Sequence, residues 1–516
     1  MITDEDRDNI RAFLLKLSCN MPRHIFNRMR EAFTHKLDIT SEWIIIHRLS
    51  VLSGITPTNF DCCINSCIAY TSKYEYFTRC PFCKEHRYRK GRKARRVFSY
   101  IPLIPQLQSF FQNSDMVARL GYRNQFSHTD GLIQDVFDGR WYQKLCKTHV
   151  VIDGVHQPHK FFSGENDIAL SLATDGFLLF SRRRSGPSAT PILLLNLNLP
   201  PTLRTHLENL ICVGVIPGPH QPKDLGSYLA PLDNECARLA EGVHTFDALA
   251  SASFYLHAYI LFKSGDIIAI EKLLNMKGHN TFSPCRSCEI KGVRKEGKGG
   301  TVYYTPLTTP HDVHHQSRAS LDAHNLPPRS HAGILSALKE MDEAPTKRAR
   351  AEIARRHGLR GEPTLMRVNS LDYSWCAPWE WMHLFLENIV PTLVKLWTGQ
   401  FKGIDEGDEE YQIAAHIWDE IGQETAASTA TIPATFVRRL PNIADGFTYM
   451  TAEGWGFWFM FIAPAVLRGR FKHQKYYDHA CKLAKLMKLS IKLEITQKEV
   501  DQLRDGLIRW VTLYER

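Results

Sequence analysis

From residue 167 the chain fixes much of its own architecture. Ile168, Leu170 and Leu172 alternate with Ala169, Ser171 and Ala173, a period of two that an extended strand turns into one apolar face. Pro191 to Leu199 and Leu210 to Ile216 predict two further strands and Leu225 to Leu239 a helix. Phe254 to Phe262 then predicts a fourth strand, and Ile267 to Met276 the helix after it. The first strand runs out into Thr174-Asp175-Gly176-Phe177 and the fourth into Ser264-Gly265-Asp266. Each aspartate alone reads as a cap or turn residue, and Asp-Gly is a common turn pair. The order of elements makes the joint reading better than either part.

The rest of the chain surrounds that pattern. Its 516 residues, 44% hydrophobic and 23% charged, are enough for several domains and a sizeable core. A formal charge of +10 favours a polyanionic partner but speaks to association, not fold. The opening Met1-Ile2-Thr3-Asp4-Glu5-Asp6 has acids where a secretory signal would be basic, so the thirteen cysteines are expected to be reduced. The most apolar stretch, Trp455 to Leu467, is shorter than the roughly 20 residues that span a bilayer. It predicts a buried core helix, and no membrane partner is expected.

Residues 6 to 57 have helical periodicity, with Ile10, Phe13, Leu14 and Leu17 on one face. Cys63-x3-Cys67, a gap of twelve residues and Cys80-x2-Cys83 follow, two thiol pairs spaced to hold one tetrahedral Zn²⁺, with Cys62 as an alternative to Cys63. Directly after Cys83, the thirteen residues Lys84 to Arg96 hold eight lysines and arginines and one acid. Arg87, Arg89, Lys90, Arg92, Lys93, Arg95 and Arg96 are the candidate phosphate contacts, and the same run suits a nuclear-localisation signal. A solvated basic loop is the plainer reading.

After the second aspartate, Cys285-x-x-Cys288 begins a segment that breaks the strand and helix pattern up to about residue 370. The two cysteines with His331 predict a second zinc site, with His279 or the His311, His314 and His315 group as alternatives to His331. Lys347 to Arg360 reads as a basic helix. In Glu380 to Leu396, Met382, Phe385, Ile389, Leu393 and Leu396 share one helical face while Glu380, His383 and Glu387 share another. Pro391 cannot donate to the carbonyl of Glu387, so this helix is expected to kink or loosen there. Glu453, near Trp455 and Trp458, is a second candidate for a third acid.

Three strands, a helix and a strand, with an aspartate leaving the first and fourth strands, is the order of the ribonuclease H-like fold, in which those two strands are neighbours. Three carboxylates from separate segments are what a two-metal phosphoryl-transfer site needs. The fold expected is therefore α+β and multidomain. The segments are a helical lead-in (1–57), a zinc module with the basic run (58–99), a connecting region (100–160), a ribonuclease H-like core (161–290), an insertion (291–370), a helix completing the core (371–402) and a helical C-terminal region (403–516).

Together, Tyr100-Ile101-Pro102-Leu103-Ile104-Pro105-Gln106-Leu107, Leu172-Ala173-Thr174-Asp175-Gly176-Phe177, Ile216-Pro217-Gly218-Pro219, Gly265-Asp266-Ile267, Pro284-Cys285-Arg286-Ser287-Cys288 and Met382-His383-Leu384-Phe385-Leu386-Glu387-Asn388 resemble the CACTA (En/Spm-type) DDE transposases. The nearest likeness is to transposase-derived proteins abundant in mushroom-forming fungi. The resemblance implies a nuclear cut-and-paste DNA transposase using Mg²⁺ or Mn²⁺, acting on transposon terminal repeats and target DNA, with room for a homo-oligomer. It implies Asp175, Asp266 and Glu387 as metal ligands, with His383 orienting Glu387 or meeting the scissile phosphate. Glu380 stands where similar chains often have Asp. The rival expectation is a zinc-containing DNA-binding derivative that no longer cuts.

Overall fold

The computed structural model describes residues 2–36, 38–178, 188–294, 303–308, 321–401, 409–446 and 450–516. The chain divides into two compact units, each assembled from separated segments. The first comprises Met1–Gln125, Leu145–Leu261 and Thr364–Ser370; the second comprises Phe126–Lys144, Phe262–Pro363 and Leu371–Arg516.

The first unit opens with helices α1 (Asp4–Ser18), α2 (Arg23–Ala32) and α3 (Glu42–Ser53). The apolar face expected on α1 is not a buried one, since Leu14 and Leu17 are each more than half exposed. The buried residues of α1 are Asp6 and Asn9. Asp6 takes two N–H bonds from Arg48 of α3, at 2.7 and 2.8 Å, and Asn9 accepts from Thr40. Polar pairing and a Thr3 capping box therefore orient α1 where apolar packing was anticipated.

A seven-stranded sheet carries the unit. Its strands are β1 (Thr58–Asp61), β2 (Val97–Tyr100), β3 (Ile168–Thr174), β4 (Ser188–Asn196), β5 (Ile211–Pro217) and β6 (Ala258–Ser264), in the order β1-β2-β5-β4-β3-β6, with Phe177–Leu178 pairing on β4. β3 and β4 are antiparallel with Leu172 opposite Leu194, and β4 and β5 are antiparallel with Ile192 opposite Gly214. Glycine is required at 214, because a Cβ there would lie 2.8 Å from the Phe98 ring. Ala169, Leu170, Ser171 and Leu172 are all buried, so β3 is covered on both faces despite its alternating sequence.

Helix α4 (Leu103–Phe111) follows β2, and α5 (Gly226–Glu241) lies between β5 and β6 in sequence. The buried carboxylate of Glu235 on α5 accepts N–H bonds from Leu103 at 2.7 Å and Ile104 at 3.1 Å, and the hydroxyl of Tyr100. One acid thus ties α5 to the β2–α4 corner and satisfies the first orphan donors of α4. The Tyr100 phenol is pushed far above its ordinary pKa, by burial first and then by that carboxylate.

The second unit is mainly helical: α6 (Ile267–Leu273), α7 (His331–Asp342), α8 (Lys347–His357), α9 (Val390–Trp397), α10 (Ala415–Ser428), α11 (Ala452–Phe457), α12 (Ala463–Val466), α13 (Gln474–Ser490) and α14 (Gln497–Glu515). π-helical turns at Met382–Ile389 and Trp458–Ile462 run into α9 and α12. Both stop at a proline in the first turn of the next helix, Pro391 and Pro464, which has no N–H for an α-type bond. The expected loosening before Pro391 therefore takes the form of a wider turn, in which Val390 N–H reaches back to Phe385 O.

Trp397, Trp418, Trp455, Trp458 and Phe459 form a buried cluster with Val394, Ile421, Leu483 and Met487. Trp455 and Trp458 are thus core residues. Among the described residues, no helix is long and apolar enough to cross a membrane.

Trp458 is fully buried and its indole N–H donates to Thr425 Oγ1 at 3.0 Å, also fully buried. Replacing Thr425 with Val keeps the shape but orphans that donor. The expected loss of stability is about 1–3 kcal/mol, measured by denaturant unfolding of the two proteins.

Candidate metal centre and acidic site

β1 and β2 pair with Thr58 opposite Tyr100 and Asp61 opposite Val97, closing the base of the loop that holds the first cysteines. Cys63, Cys67, Cys80 and Cys83 come together within it, with their sulfurs all within 4.8 Å of one another. Tetrahedral Zn²⁺ with Zn–S bonds of about 2.3 Å sets sulfurs roughly 3.8 Å apart, so this donor set could hold such an ion. Burial pushes the Cys63 thiol up to about 11 and Cys67 higher still, so two of the thiols resist ionising without a cation beside them. At Cys83 burial also opposes ionisation, but the Glu85 N–H and the neighbouring Cys63, Asn65 and Cys80 outweigh it and bring the thiol to about 7. Cys62 is outside the set. Burial lifts its thiol to about 12, against Tyr228.

The basic run beside the cluster divides in two. Arg87 donates to Asp61 Oδ2 at 2.7 Å and lies over the Tyr70 and Tyr88 rings, Arg95 pairs with Glu85 at 2.5 Å, and Arg96 reaches Ser66 Oγ at 3.5 Å. Arg87 and Arg95 thus brace the module through its own acids. Arg89, Lys90, Arg92 and Lys93 are exposed at the tip of a hairpin closed by the Tyr88–Ala94 bridge and an Arg89 N–H to Lys93 O bond of 2.8 Å. Gly91 and Arg92 turn that tip with φ of 81° and 60°.

In the second unit an acid cluster forms around His383. Its Nδ1 bonds Glu380 Oε2 and its Nε2 lies 3.7 Å from Glu387 Oε2, so the three residues of one face meet as their spacing predicted. Glu380 also accepts the backbone N–H groups of Met382 at 3.0 Å and His383 at 2.7 Å, which anchors the start of the π-helical turn. Partial burial works against the charged imidazole. The hydrogen bond to Glu380 and the charges of Glu380, Glu387 and Asp266 prevail, and the His383 pKa is raised. Asp266, far away in sequence, is therefore close enough to act on this ring.

Asp266 is also the N-cap of α6, accepting Ala269 N–H at 2.6 Å, and Asp175, in the first unit, is exposed and accepts the N–H of Gly176 at 2.7 Å. Both aspartates thus do the local work the plainer reading assigned them. Two bonds fix the surroundings of the cluster: Lys263 N–H donates to Cys376 O at 2.7 Å, and Arg286 donates to Pro378 O at 2.7 Å while sitting over the Trp379 ring. Glu453 is exposed in the first turn of α11.

His331 is not gathered with Cys285 and Cys288. Among the described residues the four N-terminal cysteines are the one set of three or more potential ligands whose donor atoms lie together. The correction has a local cause: Ser330 caps α7, and the His331 ring packs on Tyr373, its Nδ1 accepting the Tyr373 N–H at 3.2 Å. His279 bonds Glu271 at 2.9 Å. The alternatives His311, His314 and His315 lie outside the described residues. The hydrogen bond from Cys288 brings the Cys285 thiol down to about 6; burial opposes it, while the N–H groups of Ser287 and Cys288 and the charge of Arg329 add to it.

Two outcomes test this geometry. Purified protein should contain zinc that Cys80→Ala and Cys83→Ala remove, measured by elemental analysis, with a lowered melting temperature in both variants. Glu380→Gln should lower the His383 pKa toward its ordinary value, because it removes the anion that stabilises the imidazolium. Glu387→Gln should lower it less, and NMR titration of the imidazole distinguishes the two.

No curated protein matches this chain. Residues 147–324, a stretch that contains β3 to β6, α5, α6 and the Cys285-x-x-Cys288 loop, match the family model described as Transposase family tnp2, which supports a transposase relationship for this chain.

Proposed function

We propose that this chain is a DDE-type DNA transposase, or a derivative of one, that cuts and joins DNA by two-metal phosphoryl transfer. The observation that carries the proposal is the meeting of Glu380 and Glu387 at the two nitrogens of His383, with the charge of Asp266 acting on the same ring. The sheet order supports it too: β6, the fourth strand of the predicted series, lies beside β3, the first, as a ribonuclease H-like core requires, and each runs out into an aspartate. In this reading Asp175, Asp266 and Glu387 are the three metal-binding carboxylates.

Carboxylate oxygens suit a hard divalent cation, and of these acids Glu387 and Asp266 already act, with Glu380, on the His383 ring. Bound Mg²⁺ or Mn²⁺ would supply activation of water or a DNA 3′-hydroxyl and stabilisation of the leaving oxygen. The protein's own part is positional. Glu380 fixes the His383 ring through Nδ1, which leaves Nε2 directed toward Glu387 as a cationic donor. That donor can hold Glu387 in place or take up a phosphate oxygen. The Cys63, Cys67, Cys80 and Cys83 module, with zinc as the proposed ion, would support the exposed tip from Arg89 to Lys93 as a phosphate contact. Nuclear localisation and CACTA-type ends as the DNA substrate belong to the same proposal.

A nicking assay on duplex DNA with Mg²⁺ or Mn²⁺ tests the reading. Expected are cleavage that stops on chelation, loss of cleavage by at least about a hundredfold in Glu387→Gln with DNA retained, and normal cleavage in Glu453→Gln. Replacing Arg89, Lys90, Arg92 and Lys93 together should weaken binding regardless of sequence and flatten its salt dependence. DNA retention without metal-dependent cleavage in the unmodified chain would instead make this a non-cutting DNA-binding derivative.

A further inference from the structure

Helix α8 carries five lysines and arginines and a single acid, Glu352, and its cations face two ways. Arg350 donates to Met341 O and to Asp342 Oδ1, each at 2.7 Å, and Arg356 pairs with Glu340 at 2.5 Å, so these two fasten α8 to α7. Lys347 and Arg348 are exposed, as is Arg360 just beyond the helix. Among the described residues none of these three has a carboxylate within ion-pair distance. Arg355, seven residues after Arg348 and so on the same helical face, lies over the Phe282 ring at 4.6 Å and pairs with Glu352 at 2.8 Å.

Helix stability does not account for the outward cations. Arg355, Arg356 and His357 suit the last turn, where the dipole favours positive charge, but Lys347 and Arg348 occupy the first turn, which favours acids and here holds none. At the other end, Lys291 Nζ donates to Arg356 O at 2.9 Å and Arg329 to His357 O at 2.8 Å, so those terminal carbonyls are served without Arg360. Arg360 donates instead to Lys277 O at 3.1 Å and stays exposed. The same surface gives a protein partner little to bury, since among the described residues no large apolar side chain from 336 to 374 is exposed. At about 1.5 Å per residue α8 is roughly 16 Å long, near half of a ~34 Å duplex turn.

We propose that the outer face of α8 is a phosphate-contact surface for duplex DNA, with Lys347, Arg348, Arg355 and Arg360 meeting the sugar–phosphate backbone. It rests on the DNA-binding part of the function proposed above and adds to it a surface apart from the Arg89 to Lys93 tip and outside residues 147–324. Arg355 exchanges its exposed pair with Glu352 for a phosphate oxygen at little cost, because an exposed ion pair contributes little. Such contacts release counterions and fix where the duplex lies without reading its sequence.

Fluorescence anisotropy of a mixed-sequence duplex oligonucleotide, titrated with the full chain over a range of salt concentrations, tests the surface. Lys347→Gln, Arg348→Gln and Arg360→Gln combined should weaken binding at least about tenfold at physiological salt and lower the log–log salt slope by about two to three, at about 0.9 per phosphate contact. Arg348→Lys with Arg360→Lys should keep the slope. In the unmodified chain, acetylation of Lys347 mapped by mass spectrometry should slow at least about threefold when duplex is bound, relative to Lys498, an exposed lysine of α14. Unchanged affinity and slope in the folded triple variant overturn the proposal, and equal acetylation of Lys347 with and without duplex does so even if that variant fails to fold. Polyglutamate bound as tightly as the duplex, and through the same three residues, overturns it in favour of an acidic polypeptide. Absence of any duplex binding sinks this surface and the transposase reading together, whereas α8-dependent binding without metal-dependent cleavage upholds the surface and removes only the cutting.

Discussion

A missing hydrogen-bond donor organises the acid cluster. Pro391 has no N–H for the carbonyl of Glu387, and the chain answers with a π-helical turn from Met382 to Ile389 in which Val390 reaches back five residues to Phe385. Asn388 adds a side-chain bond to the His383 carbonyl at 2.5 Å, again five residues back. The widened turn changes the angular spacing that an α-helix would impose on Glu380, His383 and Glu387. Glu380 compensates at the open end, where it takes two backbone N–H groups and the His383 ring together. The raised pKa of His383 is thus a consequence of backbone geometry as much as of charge count.

Much of the fold was legible because apolar periodicity and turn chemistry agreed. The first three strand candidates from Ile168 onward, the helix after the third and a basic helix at Lys347–His357 all exist, the last ended by Gly358 in the left-handed region, whereas the candidate Phe254 to Phe262 is split: Ala252–Leu256 pairs with Val243–Asp247 in a separate sheet and Ala258–Ser264 joins the main one. The failures came where polar groups replaced apolar contacts. Leu14 and Leu17 suggested a buried face on α1, whereas Asp6 and Asn9 supply the contacts, because Arg48 and Thr40 are available to them. Likewise the alternation in β3 predicted one covered face, and nothing in those seven residues announced that both would be covered.

The site was legible in patches, following how local its chemistry is. Cys63, Cys67, Cys80 and Cys83 sit in short loops whose spacing brings sulfurs together, so the set could be read directly; their proximity also decides between Cys62 and Cys63. Glu380, His383 and Glu387 were recognisable from their shared face. The basic run shows its charge in the sequence but not its pairing: that Arg87 meets Asp61 and Arg95 meets Glu85 is visible only in the fold of the module.

The interleaving of the two units also bears on the order of events during synthesis. The first unit is incomplete until Thr364–Ser370 has been made, for Ser370 Oγ donates to Ile260 O at 2.8 Å and Val368 bridges to Ile152. At roughly 5–20 residues per second, a ribosome needs several seconds to travel from the end of β6 to that segment. Through that interval one flank of the nascent chain waits for its last piece. A chaperone that shields exposed β-structure would have its longest engagement there, and a truncation anywhere before residue 370 leaves both units unfinished.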